Sequence, residues 1–230
     1  MKNVQAKLIL VRHAQASLGA ADYDRLSPLG HRQSGLLAAR LRGSASAALI
    51  RGEHLRHRQT ADALGVGANR VEVDPGLNEY SVQPLLQAAA LQADSLGLQF
   101  PPAEAQADPR AFLDAFLALF PAVLDAWQQD RIRCERNGRW DEFSRRVAAA
   151  GNRLVERAQA EGCVIAFSSA GVISTLTAML LARDLSWQRS LNVALYNASV
   201  TELHHRDGRW HAVAENCVEH LPDPGLLSLA

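Results

Sequence analysis

Cysteine is scarce in this chain. Three residues, Cys134, Cys163 and Cys217, are widely spaced and odd in number. They form neither a metal-ligand spacing nor a disulfide framework, which points to a reducing compartment and a cytoplasmic location. Excess charge is missing too: 24 basic residues face 24 acidic ones. A general nucleic-acid or anionic-membrane binder needs a basic excess, so neither partner is expected, although a local basic pocket stays open. No apolar stretch approaches the roughly 20 residues that span a bilayer. Arg12 interrupts the first apolar run too early for a signal peptide. None of the eight histidines pairs with carboxylates at a recognisable ligand spacing, so no metal and no cofactor is expected.

What remains is an ordinary globular composition, 48% hydrophobic and 21% charged, over 230 residues. The length suits one domain, 1–230, carrying an insertion. Residues 7–17, Lys-Leu-Ile-Leu-Val-Arg-His-Ala-Gln-Ala-Ser, are the stretch the rest is arranged around. A short apolar run of this kind reads as a strand buried on both faces, as in a parallel sheet. Arg12 and His13 stand at its carboxyl end, where open α/β sheets bind their ligands. A guanidinium beside an imidazole suits phosphate: the fork binds oxygens and the ring nitrogen can attack phosphorus. The alternative is a surface basic pair at a strand end.

Alternation of strand and helix follows. Ser27-Pro28 opens a helix that ends near Gly43. Strands are expected at 47–50, 71–73 and 163–167, and helices from near Glu53, over 140–160 and over 172–182. Two late strands, 193–204 and 210–215, meet at Asp207-Gly208 and suggest an antiparallel edge. Residues 82–138 break the alternation with helical segments whose apolar face includes Phe112, Phe116, Phe120, Leu124 and Trp127. That insertion reads as helices packed on the core, with a substrate lid and a homodimer contact as the sharper alternatives. If the sheet is doubly wound, Arg12-His13, Arg56 and Ser168-Ser169 share one crevice, with Glu79 at its rim. Such a set holds a nucleophile, a cationic cradle and an acid, enough for phosphoryl transfer.

The motifs in their order resemble the histidine phosphatase superfamily, the phosphoglycerate-mutase-like proteins. Leu10-Val11-Arg12-His13-Ala14-Gln15 is similar to its Arg-His-Gly signature, with alanine for glycine. The stretches Leu26-Ser-Pro-Leu-Gly30-His-Arg-Gln33, Arg56-His57-Arg58-Gln59-Thr60-Ala61, Leu77-Asn78-Glu79, Asn197–Thr201 and Glu219-His220-Leu221 resemble further segments of it. The resemblance implies a three-layer α/β/α fold with a central mixed, mainly parallel sheet. It also implies a phosphohistidine nucleophile at His13, phosphate ligands at Arg12 and Arg56, and a proton donor at Glu79.

Two departures qualify it. The family's second histidine is expected after the fourth strand, where this chain has Ser169. A serine offers one neutral donor and no charge, and losing a preorganised donor costs on the order of 10²–10³ in rate. Gly19 stands near where mutase-type members place a phosphate-binding asparagine, which weakens assignment as a phosphoglycerate mutase. His57 or His54 could turn into the pocket and compensate, or both could be solvated residues at a helix start. Ser169 could contact phosphate, cap its helix, or do both. Two functions stay open: a phosphomonoester hydrolase with a weakened or specialised site, and a non-catalytic binder using the Arg12/Arg56 pocket. Either would have a phosphorylated small molecule or protein as partner.

Overall fold

Strict alternation in the first strand divides the core in two. In a computed structural model that describes residues 6–17, 24–44, 46–101 and 109–229, β1 (Lys7–Arg12) sends Leu8 and Leu10 into one apolar cluster and Ile9 and Val11 into another. Both faces of the strand are therefore covered, as its unbroken apolar run requires. Gly19, Tyr23, Pro102 and the side chain of Phe112 lie outside the described residues.

The sheet has six strands in the order β3-β2-β4-β1-β5-β6. β2 (Ala48–Arg51), β3 (Val71–Val73) and β4 (Cys163–Ser168) run parallel to β1. β5 (Val200–Arg206) and β6 (Arg209–Cys217) form the antiparallel edge. Their turn places Asp207 at φ 50° and Gly208 at φ 76°. Two successive positive φ values match the right-handed twist of a hairpin, and glycine adopts one without penalty.

Helices cover both faces. α1 (Pro28–Leu41) and α2 (Leu55–Asp62) lie over Ile9 and Val11, contributing Leu37, Leu41 and Ala61. Ser27 caps α1 by accepting from the Gly30 amide, with Pro28 following it. The opposite face is covered by α3 (Val82–Ala90), α5 (Pro109–Gln128), α6 (Trp140–Glu161) and α7 (Ala170–Leu180), with the short α4 (Ala93–Leu96) between α3 and α5. Phe120, Val123, Leu124 and Trp127 of the 82–138 segment are buried in the same cluster as Leu8 and Leu10. This part of the segment is packed on the core. No helix among the described residues is long and apolar enough to cross a membrane.

Three elements depart most from the sequence expectation, the others shifting by no more than two residues. The second helix starts at Leu55 rather than near Glu53, with His54 in the capping position. α7 spans 170–180 rather than 172–182. The strand expected from Val193 starts only at Val200, because α8 (Leu185–Ala194) takes up Val193 and Ala194 and a turn fills 195–199. Asp184 caps α8 by accepting from the Trp187 amide, and Gln188 donates from it to Ser174 and Thr175 of α7. This tertiary contact overrides the strand preference of Val193.

Trp127 is the pivot of the larger cluster. It is fully buried, donates Nε1–H to the Gly138 carbonyl at 3.1 Å, and meets Tyr80, Trp140 and Phe143 at ring-centroid distances of 5.2, 5.1 and 5.8 Å. Trp127→Ala is expected to destabilise the fold by about 3–5 kcal/mol, read as a lower urea midpoint with an unchanged m-value.

Candidate active site

Backbone pairing builds the site before any side chain enters. The β1–β4 register sets Arg12 opposite Ser168, and the His13 amide donates to the Ser168 carbonyl at 2.8 Å. His13 therefore leaves β1 beside Ser169, the residue before α7. The Gly52 amide donates to the Phe167 carbonyl, which brings the end of β2 and the start of α2 to the same edge. The Ala14 amide donates to Thr60 Oγ1 at 3.0 Å, tying the first loop to α2. Ser168 Oγ donates to the Leu77 carbonyl at 2.7 Å, fixing the turn that carries Glu79.

His13 is buried, and its Nδ1 lies 2.8 Å from the Ala14 carbonyl. A carbonyl only accepts, so Nδ1 carries the proton and Nε2 keeps a lone pair. Arg56 is buried at the start of α2. It donates to Asp24 Oδ1 at 2.5 Å and reaches Ser169 Oγ at 3.4 Å. Asp24 Oδ2 also accepts from the Leu55 amide at 2.7 Å, so one carboxylate orients Arg56 and caps its helix. Arg12 donates to the carbonyl of Leu195 and, at 2.8 Å, to that of Leu229. The segment around Leu229 is itself held: Gln33 donates to the Leu226 carbonyl, and the Asn197 amide to the Ser228 carbonyl.

Glu79 is fastened to the beginning of α7. Its Oε2 accepts from the Gly171 amide at 2.6 Å and its Oε1 from the Tyr80 amide at 3.1 Å. A Cβ at position 171 would collide with Glu79 Oε1 and with the Tyr80 ring, so only glycine admits this approach. On the other side of Glu79 opens a cleft of about 400 Å³, lined also by His54, Asn137, Arg136, Arg146 and Phe143. His13, Arg56 and Ser169 are buried and do not line this cleft.

The residues singled out in the sequence thus converge: Arg12, His13, Arg56, His57, Glu79 and Ser169 share one strand-end crevice. Two of the blander expectations are corrected. His57 is not solvated at a helix start; it is fully buried, with Nε2 2.7 Å from Ser169 Oγ and its ring 5.7 Å from that of His13. Ser169 occupies the capping position of α7, but its hydroxyl makes no capping bond and faces His57 and Arg56 instead. Sequence reasoning missed Asp24, Gly52 and Thr60. No local spacing links Asp24 to an arginine 32 residues away, and only the Gln59-Thr60-Ala61 motif hinted at Thr60.

The electrostatics divide the site. Burial, reinforced by Arg56 and Arg12, holds His13 well below its ordinary value of 6.5. Burial and Arg56 do the same to His57. Burial pushes Glu79 upward from 4.5, against the opposing pull of the Gly171 amide and Arg56. The folded state therefore favours neutral imidazoles and a protonated carboxyl. For both histidines the stability contribution is fully present above the unfolded value near 6.5. It is lost as pH falls below that value, at up to about 1.4 kcal/mol per pH unit for each ring. The raised Glu79 acts in the opposite sense, losing stability as pH rises from 4.5 through its folded value. Urea unfolding at pH 7.5 and 5.5 is expected to show a smaller acid loss for His57→Asn than for the native chain.

Comparison with known proteins agrees with this geometry. The family model described as the histidine phosphatase superfamily, branch 1, matches residues 8–94 and 113–218. No curated protein matches. Among solved structures, the alpha-ribazole phosphatase from Shigella flexneri superposes with a TM-score of 0.62 at 20% identity, covering 92% of this chain and 96% of its own. A mycobacterial glucosyl-3-phosphoglycerate phosphatase, solved with inorganic phosphate, gives 0.62 at 22% identity, with 94% and 99% covered. Phosphoglycerate mutase from Bacillus anthracis gives 0.62 at 17% identity, with 95% and 96% covered. At these identities the structures share the fold, and the family match carries the assignment: this chain belongs to branch 1 of the histidine phosphatase superfamily.

Proposed function

We propose that the protein is a phosphomonoester hydrolase working through a phosphohistidine at His13. The observation that carries this reading is the His13 tautomer. With Nδ1–H spent on the Ala14 carbonyl, the Nε2 lone pair is the ring's reactive end. Two arginines supply positive charge beside it.

The chemistry balances with the residues present. Nε2 attacks phosphorus while the ester oxygen departs, taking the proton from the Glu79 carboxyl. Water then attacks the phosphohistidine, Glu79 takes up its proton, and inorganic phosphate leaves with His13 restored. The opposite pKa shifts suit the two roles: burial lowers that of the nucleophile, favouring its free base, and raises that of the acid, favouring its proton-bearing form. Arg56 and Arg12 offset charge on the phosphoryl oxygens. The cleft beyond Glu79 receives the alcohol part of the ester, and its volume falls in the range of small-molecule pockets.

A second reading is favoured by one observation. Arg56 is already paired with the internal carboxylate of Asp24, and the turn at Ser169 carries no charge of its own. A non-catalytic binder of a phosphorylated metabolite or protein could use the same pocket without turnover.

Hydrolysis of an aryl phosphate separates the two. The native chain is expected to turn over, His13→Ala to lose activity to background, and Glu79→Gln to lose about 10²–10⁴-fold. Equal rates for native and His13→Ala chains leave only the binder.

A further inference from the structure

One buried group has no part in the transfer scheme. His57 is fully enclosed, yet its ring lies 5.7 Å from the nucleophile's and its Nε2 is 2.7 Å from Ser169 Oγ. Its other nitrogen, Nδ1, is buried with no hydrogen-bond partner among the described residues. The ring is admitted by Gly52, where any Cβ would strike Nδ1. A buried imidazole with one bare nitrogen, held by a glycine gap and aimed at a hydroxyl, is costly unless it does something.

Hydrogen-bond capacity says what. A buried N–H left unpaired is rarer and costlier than an unpaired acceptor, so the bare Nδ1 carries the lone pair and Nε2 carries the proton. Nε2–H then donates to Ser169 Oγ. Arg56 can only donate, and it approaches the same oxygen at 3.4 Å. A hydroxyl has two acceptor sites and one proton. With both acceptor sites turned toward His57 and Arg56, the Ser169 proton must point elsewhere. Among the described residues no acceptor stands within reach of that proton, which leaves it for an anion that enters the crevice beside Arg56.

We propose that His57 and Ser169 form one coupled phosphoryl-binding unit. Ser169 is the contact, donating its hydroxyl proton to a phosphoryl oxygen, and His57 is the positioning residue that holds that hydroxyl in its donating orientation. No proton is transferred between them. The unit takes a phosphate monoester and its tetrahedral relatives, inorganic phosphate included. The proposal rests on the phosphohydrolase reading for its kinetic readout and on anion binding for its independent one. It also has a steric corollary: an imidazole grown along the present Ser169 side-chain direction overlaps His57, so Ser169→His alone disturbs the site.

The test compares aryl phosphate hydrolysis and inorganic phosphate affinity for native, Ser169→Ala, His57→Ala, the double alanine variant and His57→Asn, with thermal melting checking that each chain folds. Each single alanine variant is expected to lose about 10²–10³-fold in kcat/KM. The double variant should lose little more than either single one, because both changes remove the same contact. His57→Asn, which keeps an N–H donor, should recover part of the loss. His57→Ala/Ser169→His, which frees the space, should exceed Ser169→His alone. Losses that multiply in the double variant, or a Ser169→Ala chain with native rate and native phosphate affinity, overturn the coupled unit while leaving the hydrolase reading intact. If the native chain binds phosphate without turning over, the hydrolase reading falls and the same non-additivity, read in affinity, decides for or against the unit. A native chain that does neither overturns both.

Discussion

The register of β1 on β4 is the constraint on which the site depends. Parallel pairing aligns Arg12 with Ser168, and one further backbone bond brings His13 alongside Ser169. A slip of one residue would send Leu8 and Leu10 to the opposite face and carry the polar end of β1 away from α7. Because the strand is apolar on both sides, burial alone specifies this register less sharply than in a half-exposed strand. The additional ties from Ala14 to Thr60 and from Ser168 to Leu77 lock it at the end where chemistry is intended.

Much of this was readable from residue order. The apolar run 8–11 told of a strand covered on both faces, the Ser27-Pro28 pair marked a helix start, and Asp207-Gly208 marked the hairpin. Each signal is local: a side chain reports on its own backbone or its immediate neighbours. Arg12, His13, Arg56 and Glu79 could be assembled because each follows a strand, and strand ends of one sheet meet. Asp24, Gly52 and the burial of His57 could not. Asp24 finds Arg56 across 32 residues, and the space for His57 is created by a missing side chain five residues earlier. Helix α8 is not legible in the sequence because its capping aspartate precedes a segment of mixed propensity that is tied to α7 through Gln188.

The site also illustrates how one cavity sustains opposite protonation states. Desolvation acts on His13, His57 and Glu79 alike, always against charge. The arginines then add to that effect on the imidazoles and oppose it on the carboxyl. Burial thus pushes the imidazoles and the carboxyl alike toward their neutral forms, and the guanidiniums strengthen that push on the rings while moderating it on the acid. Gly171 shows the same economy in steric terms, since the absence of one carbon lets an amide at the start of α7 meet the acid.

The hold of Leu229 on Arg12 has a temporal side. On a growing polypeptide, Arg12 emerges early and the carbonyl it meets emerges 217 residues later. The segment carrying that carbonyl is secured only once Gln33 and Asn197 have found it. Loss of the 226–229 segment would therefore leave the register of β1 on β4 in place while removing one of the two carbonyls that hold Arg12.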